Sequence, residues 1–228
     1  MPRRPAAGTQ PQEGDAEEAF AHLARVDPVM ARLLKELGPP PDIGATDDGA
    51  GATATVRSEP YTALLRAIVG QQLSTKAART IYGRLLTFFD EAPPTPAQVL
   101  DADPDALREA AGLSRAKTAY LRSLAEHVLS GELELDRFDE LDDDTIVAEL
   151  TAVKGIGVWT AHMFLMFQLG RPDVLATGDL GVRKGAQLAY GLEEMPSPAA
   201  LQELAAPWAP YRSAACRLLW RSLDNEPA

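Results

Sequence analysis

From residue 58 onward the chain is cut at short intervals by helix start and stop signals, and this limits its fold more than any other feature. Ser58, Ser74, Thr95, Asp103 and Asp142 each stand where a short polar side chain can accept an unpaired first-turn amide. Pro96 and Pro104 follow two of them at the first helical position, which needs no N–H. Gly112 and Gly131 mark stops, and Asp27-Pro28 marks an earlier start. No segment alternates apolar and polar residues between turn residues, and no long-period repeat occurs. The pattern predicts an all-α fold of roughly ten short helices.

Residues 1–16 are rich in proline, glycine and glutamine and read as a disordered tail, leaving 17–228 as the folded region. Within it, 17–57 is expected to hold N-terminal helices and a loop, the loop being the proline- and glycine-rich stretch 38–56. A first helical lobe is expected over 58–130 and a second over 131–228. No apolar run is long enough to span a membrane, and the two early arginines precede no apolar stretch. The one cysteine, Cys216, excludes an internal disulfide and a four-cysteine iron–sulfur cluster. A cytoplasmic monomer without a membrane partner is the simplest expectation.

The formal net charge of −11 weighs against a polyanionic partner. Its distribution matters more. Residues 131–150 hold nine acids and one base, so much of the acidity sits in one block. Asp142, Asp143 and Asp144 within it suit a helix N-terminus, and the block reads as a solvated face.

The informative stretch is 150–192. A helix ends near Val153, the chain breaks at Lys154-Gly155-Ile156-Gly157, and a second helix starts at Val158. Two glycines around one aliphatic residue make a tight hairpin, with Ile156 placed to plug the gap between helices. The second helix presents unpaired amides and its positive dipole end, a site where an anion can dock without a basic side chain. Lys154 adds a charge beside it. About twenty residues on, after a glycine-containing loop, Asp179 stands immediately before an apolar-periodic helix carrying Leu180, Val182 and Leu188.

With these features the chain resembles the HhH-GPD superfamily of DNA base-excision glycosylases, and within it the 3-methyladenine DNA glycosylase II (AlkA-type) branch. The resemblance spans about 60–223 and rests on four blocks in family order: Ile68–Ser74, Gly155–Ala161, Gly178–Gly181, and Trp208–Ser213 leading to Trp220. It implies a two-lobed helix–hairpin–helix fold, expected at this length to be without the extra N-terminal β-domain of some relatives. Two positions depart from the family pattern. Many members have proline where Lys154 stands, and proline near Ala176 and Thr177, so loop rigidity and substrate range are open to change.

The resemblance implies hydrolysis of the N-glycosidic bond of alkylated, 3-methyladenine-like bases in duplex DNA, reached by base flipping during base excision repair. Asp179 takes the catalytic position, where a carboxylate stabilises an oxocarbenium-like sugar and orients water; it also stands where a helix cap would. Lyase-type members carry a lysine where Trp159 stands, so a monofunctional enzyme is expected. Trp159, His162 and Met163 share one helical face and, with Trp208 and Tyr211, are candidates to line a pocket for a cationic base. Phe164, Phe167 and Trp220 read as core. Gln71, Gln72, Leu73 and Ser74 match the family's intercalating plug, with Gln72 the wedge. Lys76, Arg115, Lys117, Lys154 and Lys184, with hairpin residues Gly155, Ile156 and Gly157, are candidate DNA contacts. No cofactor is expected beyond a Na or K ion held on DNA binding by the carbonyls of Thr151, Val153 and Ile156. Two other readings stay open: a glycosylase for oxidised, deaminated or mismatched bases, and a non-catalytic helix–hairpin–helix DNA-binding module.

Overall fold

A computed structural model describes residues 13–40 and 59–224. These residues form twelve α-helices and no strand: α1 (Glu13–Val26), α2 (Pro28–Leu37), α3 (Pro60–Gly70), α4 (Thr75–Phe88), α5 (Pro96–Asp101), α6 (Pro104–Ala111), α7 (Arg115–Ser130), α8 (Asp143–Ala152), α9 (Val158–Met163), α10 (Leu180–Tyr190), α11 (Pro198–Leu204) and α12 (Arg212–Asp224). The start signals work as local chemistry requires. Ser74, Asp103 and Asp142 each accept the amide three residues on, and Thr95 forms a reciprocal capping box with Gln98. Gly112 and Gly131 end α6 and α7 in the left-handed region.

Two readings of the flanks change. Helix α1 begins at Glu13, so the expected tail over 1–16 is too long by a turn; residues 1–12 and most of the 38–56 stretch lie outside the described residues. Ser58 also lies outside them, and α3 starts at Pro60 behind Glu59, which makes no side-chain cap. Proline at the first position sets that helix start without one.

The chain divides into two compact units, one with described residues 13–40 and 165–224, the other with 59–164. In the first unit, Leu23, Met30, Val182, Ala186, Leu201, Trp208, Leu218 and Leu219 form a fully buried core. Asp27 is its polar anchor. One carboxylate oxygen accepts from the amides of Val29 and Met30, and the other from Trp208 Nε1 and Tyr190 Oη. A buried carboxylate with four donors is satisfied without a cation.

In the second unit, Leu64, Leu65, Ile68 and Val69 of α3 are buried with Leu85, Leu107, Leu121, Leu124, Ile146 and Leu150. The hairpin belongs here, whereas the sequence boundary at 130 joined it to the Asp179 segment. Two contacts hold it there: the Lys154 N–H donates to Ser123 Oγ of α7 at 3.2 Å, and Phe138, between α7 and α8, meets Phe164 edge-on. Past α9 the helix widens into a π-helical turn over Phe164–Gln168, where the chain passes from one unit to the other.

The two hairpin glycines do different work. Gly155 has φ +92°, and a Cβ there would lie 2.2 Å from Tyr120 Cγ, so both conformation and space demand glycine. Gly157 has φ −97°, and a Cβ there would meet nothing within 4 Å. Gly155→Ala is therefore expected to cost about 2–4 kcal/mol and Gly157→Ala less than about 1 kcal/mol. Urea denaturation of the two variants checks this; equal losses would mean that Tyr120 does not hold the turn.

Candidate active site

The carboxylate at the sequence-predicted position is built from a pinned loop. Ser213 Oγ accepts the Val174 N–H at 2.9 Å and donates to the Arg171 carbonyl at 2.7 Å, and Ser213 N–H reaches the Pro172 carbonyl. Asp173 and Arg212 form a two-pronged ion pair with both N···O distances at 2.7 Å. Such a planar fork is the strong form of the interaction. It engages both oxygens of Asp173, the nearest rival carboxylate, as a structural tie. Val174, Leu175 and Ala176 are then buried, and the Asp179 N–H closes a turn onto the Ala176 carbonyl. The loop is fixed by these contacts without the proline that many relatives carry near Ala176 and Thr177.

Asp179 caps α10, its Oδ1 accepting the Val182 N–H at 2.7 Å. The same oxygen accepts from Trp220 Nε1 at 2.8 Å. Trp220 stacks on Phe167 with centroids 5.9 Å apart and planes 24° apart. Gly181 makes this approach possible: a Cβ there would lie 2.9 Å from Trp220 Cδ1 and 3.1 Å from Asp179 Oδ1. Two donors on one oxygen fix the rotation of a half-buried carboxylate. Asp179 is thus a cap and an oriented group at once, and Trp220, read from sequence as core, is the residue that orients it.

The hairpin in the other unit presents a different surface. Ile156 is buried, so it contributes backbone only, while Lys154 and Gly157 are exposed. Helix α9 starts at Gly157 with no side-chain cap, whereas α2, α4 to α8, α10 and α11 all have one. Val158 and Trp159 beside this start are 54% and 51% exposed, an unusual position for large apolar groups. His162 and Met163 are half-buried on the same face. Burial holds His162 below its ordinary pKa, with Asp143 pulling the other way.

The turn between α3 and α4 carries Gln72 at φ +57°, exposed, with Leu73 and Ser74 also exposed beside it. A non-glycine residue there is held in a conformation that few side chains adopt. Lys76, Arg115 and Lys184 are exposed as expected, Lys184 reaching Gln187 at 3.1 Å.

Four of the proposed contact residues have other partners. Trp208 is fully buried and donates to Asp27, so it belongs to the core, where its indole N–H needs a partner. Tyr211 lies edge-on to His22 of α1 at 5.3 Å. Lys117 donates to the carbonyls of Val69 and Gln71, both at 2.7 Å, and its burial lowers its pKa. Gln71 donates its side-chain amide to the Gly155 carbonyl at 2.8 Å. Each partner is remote in the chain, so no local pattern signals it.

The donor set expected to hold a monovalent cation is neutral oxygen. Thr151 and Val153 stand at the C-terminal end of α8, where the last carbonyls lack intrahelical partners. The Val153 carbonyl accepts the Ile156 N–H at 3.1 Å and has a second lone pair. Carbonyl oxygens of this kind suit a hard monovalent ion.

Comparison with known proteins finds relatives that match most of the chain. The family model described as HhH-GPD superfamily base excision DNA repair protein matches residues 65–210. DNA-3-methyladenine glycosylase 1 of Schizosaccharomyces pombe is 32% identical over 207 residues, covering 90% of this chain and 86% of that protein. The S. pombe 3-methyladenine DNA glycosylase solved in complex with abasic DNA superposes with a TM-score of 0.75 at 32% identity, covering 91% of this chain and 97% of that one. The DNA-3-methyladenine glycosidase of Bacillus halodurans superposes with a TM-score of 0.78 at 35% identity, covering 95% and 94%. A capped carboxylate after a glycine hairpin, on an all-helical frame that these proteins share, places the chain in the HhH-GPD superfamily of base excision DNA repair proteins.

Proposed function

We propose that the chain is a monofunctional DNA glycosylase that removes alkylated bases from duplex DNA by hydrolysis of the N-glycosidic bond. The observation that carries this reading is the double clamp on Asp179 Oδ1 by Val182 N–H and Trp220 Nε1–H. Breaking the bond to an alkylated purine leaves positive charge on the sugar, and the base departs readily because it is already cationic. A carboxylate held in one orientation meets that charge without reorganising, which is how a preorganised group lowers the barrier. The same group orients the attacking water. No residue supplies an amine where lyase-type relatives do, because Trp159 stands there, and an indole forms no Schiff base. The half-exposed Trp159 face suits stacking on a cationic base.

Backbone recognition by the hairpin fits an acidic chain. The uncapped amides at the start of α9, with Lys154 beside them, offer a phosphate hydrogen bonds and a dipole. A monovalent cation on the carbonyls of Thr151, Val153 and Ile156 would supply further positive charge toward that phosphate. Gln72, on the exposed turn after α3, is the group to fill the space left by an extruded base, which costs a few kcal/mol to unstack.

Two outcomes follow. On matched duplexes carrying methylated purines, uracil, hypoxanthine or 8-oxoguanine, base release is expected from the methylated substrates first, with strands cut only after alkali. Preferential release of an oxidised or deaminated base, or breaks without alkali, contradicts the proposal. Trp220→Phe keeps the ring but removes the donor to Asp179, and is expected to lower single-turnover release about tenfold with DNA affinity changed less than about twofold. Unchanged release would remove Trp220 from the account.

A further inference from the structure

Helix α7 carries Lys117, Tyr120 and Ser123 at i, i+3 and i+6, on one face. Each meets a different part of the backbone. Lys117 Nζ donates to the carbonyls of Val69 and Gln71 at the C-terminal end of α3. The Tyr120 ring lies flush against Gly155, and Ser123 Oγ accepts the Lys154 N–H. A fourth bond closes the ring, as Gln71 Nε2 reaches the Gly155 carbonyl at 2.8 Å across 84 residues of sequence. The turn bearing Gln72 and the glycine hairpin are therefore tied to each other and both to α7.

We propose that this tie makes the Gln72 turn and the hairpin one rigid body, so that gripping the DNA backbone and inserting beside the extruded base are a single event, with Lys117 and Gln71 as positioning residues. The proposal rests on the reading of the chain as a base-flipping enzyme. Its physical basis is local. A left-handed, non-glycine Gln72 persists only where its surroundings over-determine it, and the bonds that do so fall on the carbonyls on either side of Gly70. A cation at the end of α3 also suits the negative end of that helix. A wedge on a fixed mount delivers its contact energy at the gap, whereas a loose one must first be ordered. Two of the ammonium's three protons are committed to these carbonyls, so its charge serves the mount before any phosphate.

The test uses the full chain with Lys117→Met, Gln72→Gly and the double variant, on duplexes with 2-aminopurine beside an alkylated or abasic position. Lys117→Met keeps the aliphatic stem. It is expected to lower the flipped fraction and single-turnover release about tenfold, with affinity for undamaged duplex changed less than about twofold. Adding it to Gln72→Gly should cause no further loss, because both changes remove the same wedge. Losses that multiply, or an affinity that falls in parallel with flipping, would reduce Lys117 to a stabilising residue and overturn the proposal. Amide hydrogen exchange of the DNA-free protein separates this from failure of the functional reading. In Lys117→Met, exchange at 71–73 and 155–157 should quicken about tenfold with the core of α7 unchanged. Unchanged exchange there overturns the tie whether or not any base is released.

Discussion

The Trp220 indole N–H on Asp179 Oδ1 is the contact on which the proposed chemistry rests. Helix capping alone would hold the carboxylate through one backbone amide, an arrangement found at other helix starts in the chain. The second donor, from a ring itself stacked on Phe167, turns a cap into an oriented group. Gly181 permits it by leaving out the one carbon that would separate the indole from the carboxylate. The Asp173–Arg212 fork and the Ser213 bonds extend the same control to the loop, tying it to α12, the helix that carries Trp220. Loop, carboxylate and indole are thus set by one short segment, Arg212 to Trp220.

An acidic protein can address a polyanion when recognition is carried by backbone rather than side chains. Most helix starts here are capped by a side-chain oxygen, which satisfies the first-turn amides internally. Helix α9 starts at Gly157, which has no side chain to do so. Lys154 stands on the preceding turn, and the acids of the 131–150 block include Asp142, the cap of α8, and Asp143 and Asp144 in its first turn. The negative charge there stabilises a helix start, and the start of α9 has no side-chain cap. Under the proposed backbone recognition, a net charge of −11 is compatible with membership in a DNA repair family.

Much of this was legible in the sequence wherever the governing physics is local. Caps at Ser74, Thr95, Asp103 and Asp142, the stops at Gly112 and Gly131, the hairpin and the position of Asp179 all follow from residues within a few positions of one another. The contacts that sequence did not reveal have a common form. Trp208 reads from sequence as a pocket candidate and Lys117 as a DNA-contact candidate, and their partners are Asp27, 181 residues away, and the carbonyls of Val69 and Gln71, 48 and 46 residues away. Trp220 looks like core, yet its indole N–H points at a carboxylate 41 residues earlier. An indole, a phenol or an ammonium packs by its apolar body and bonds by its tip. Sequence pattern reports the body, and only the fold shows where the tip goes. The hairpin's membership of the α3–α9 unit was hidden for the same reason, since Tyr120 and Ser123 carry no turn or cap signal.

The most direct measurement is single-turnover release of a methylated purine by Asp179→Asn, beside its affinity for the same duplex. Asparagine keeps an oxygen for the Val182 and Trp220 donors, so fold and binding should persist while release falls by at least about a hundredfold. Release at the wild-type rate by a variant that still binds would contradict the assignment of the chemistry to this side chain.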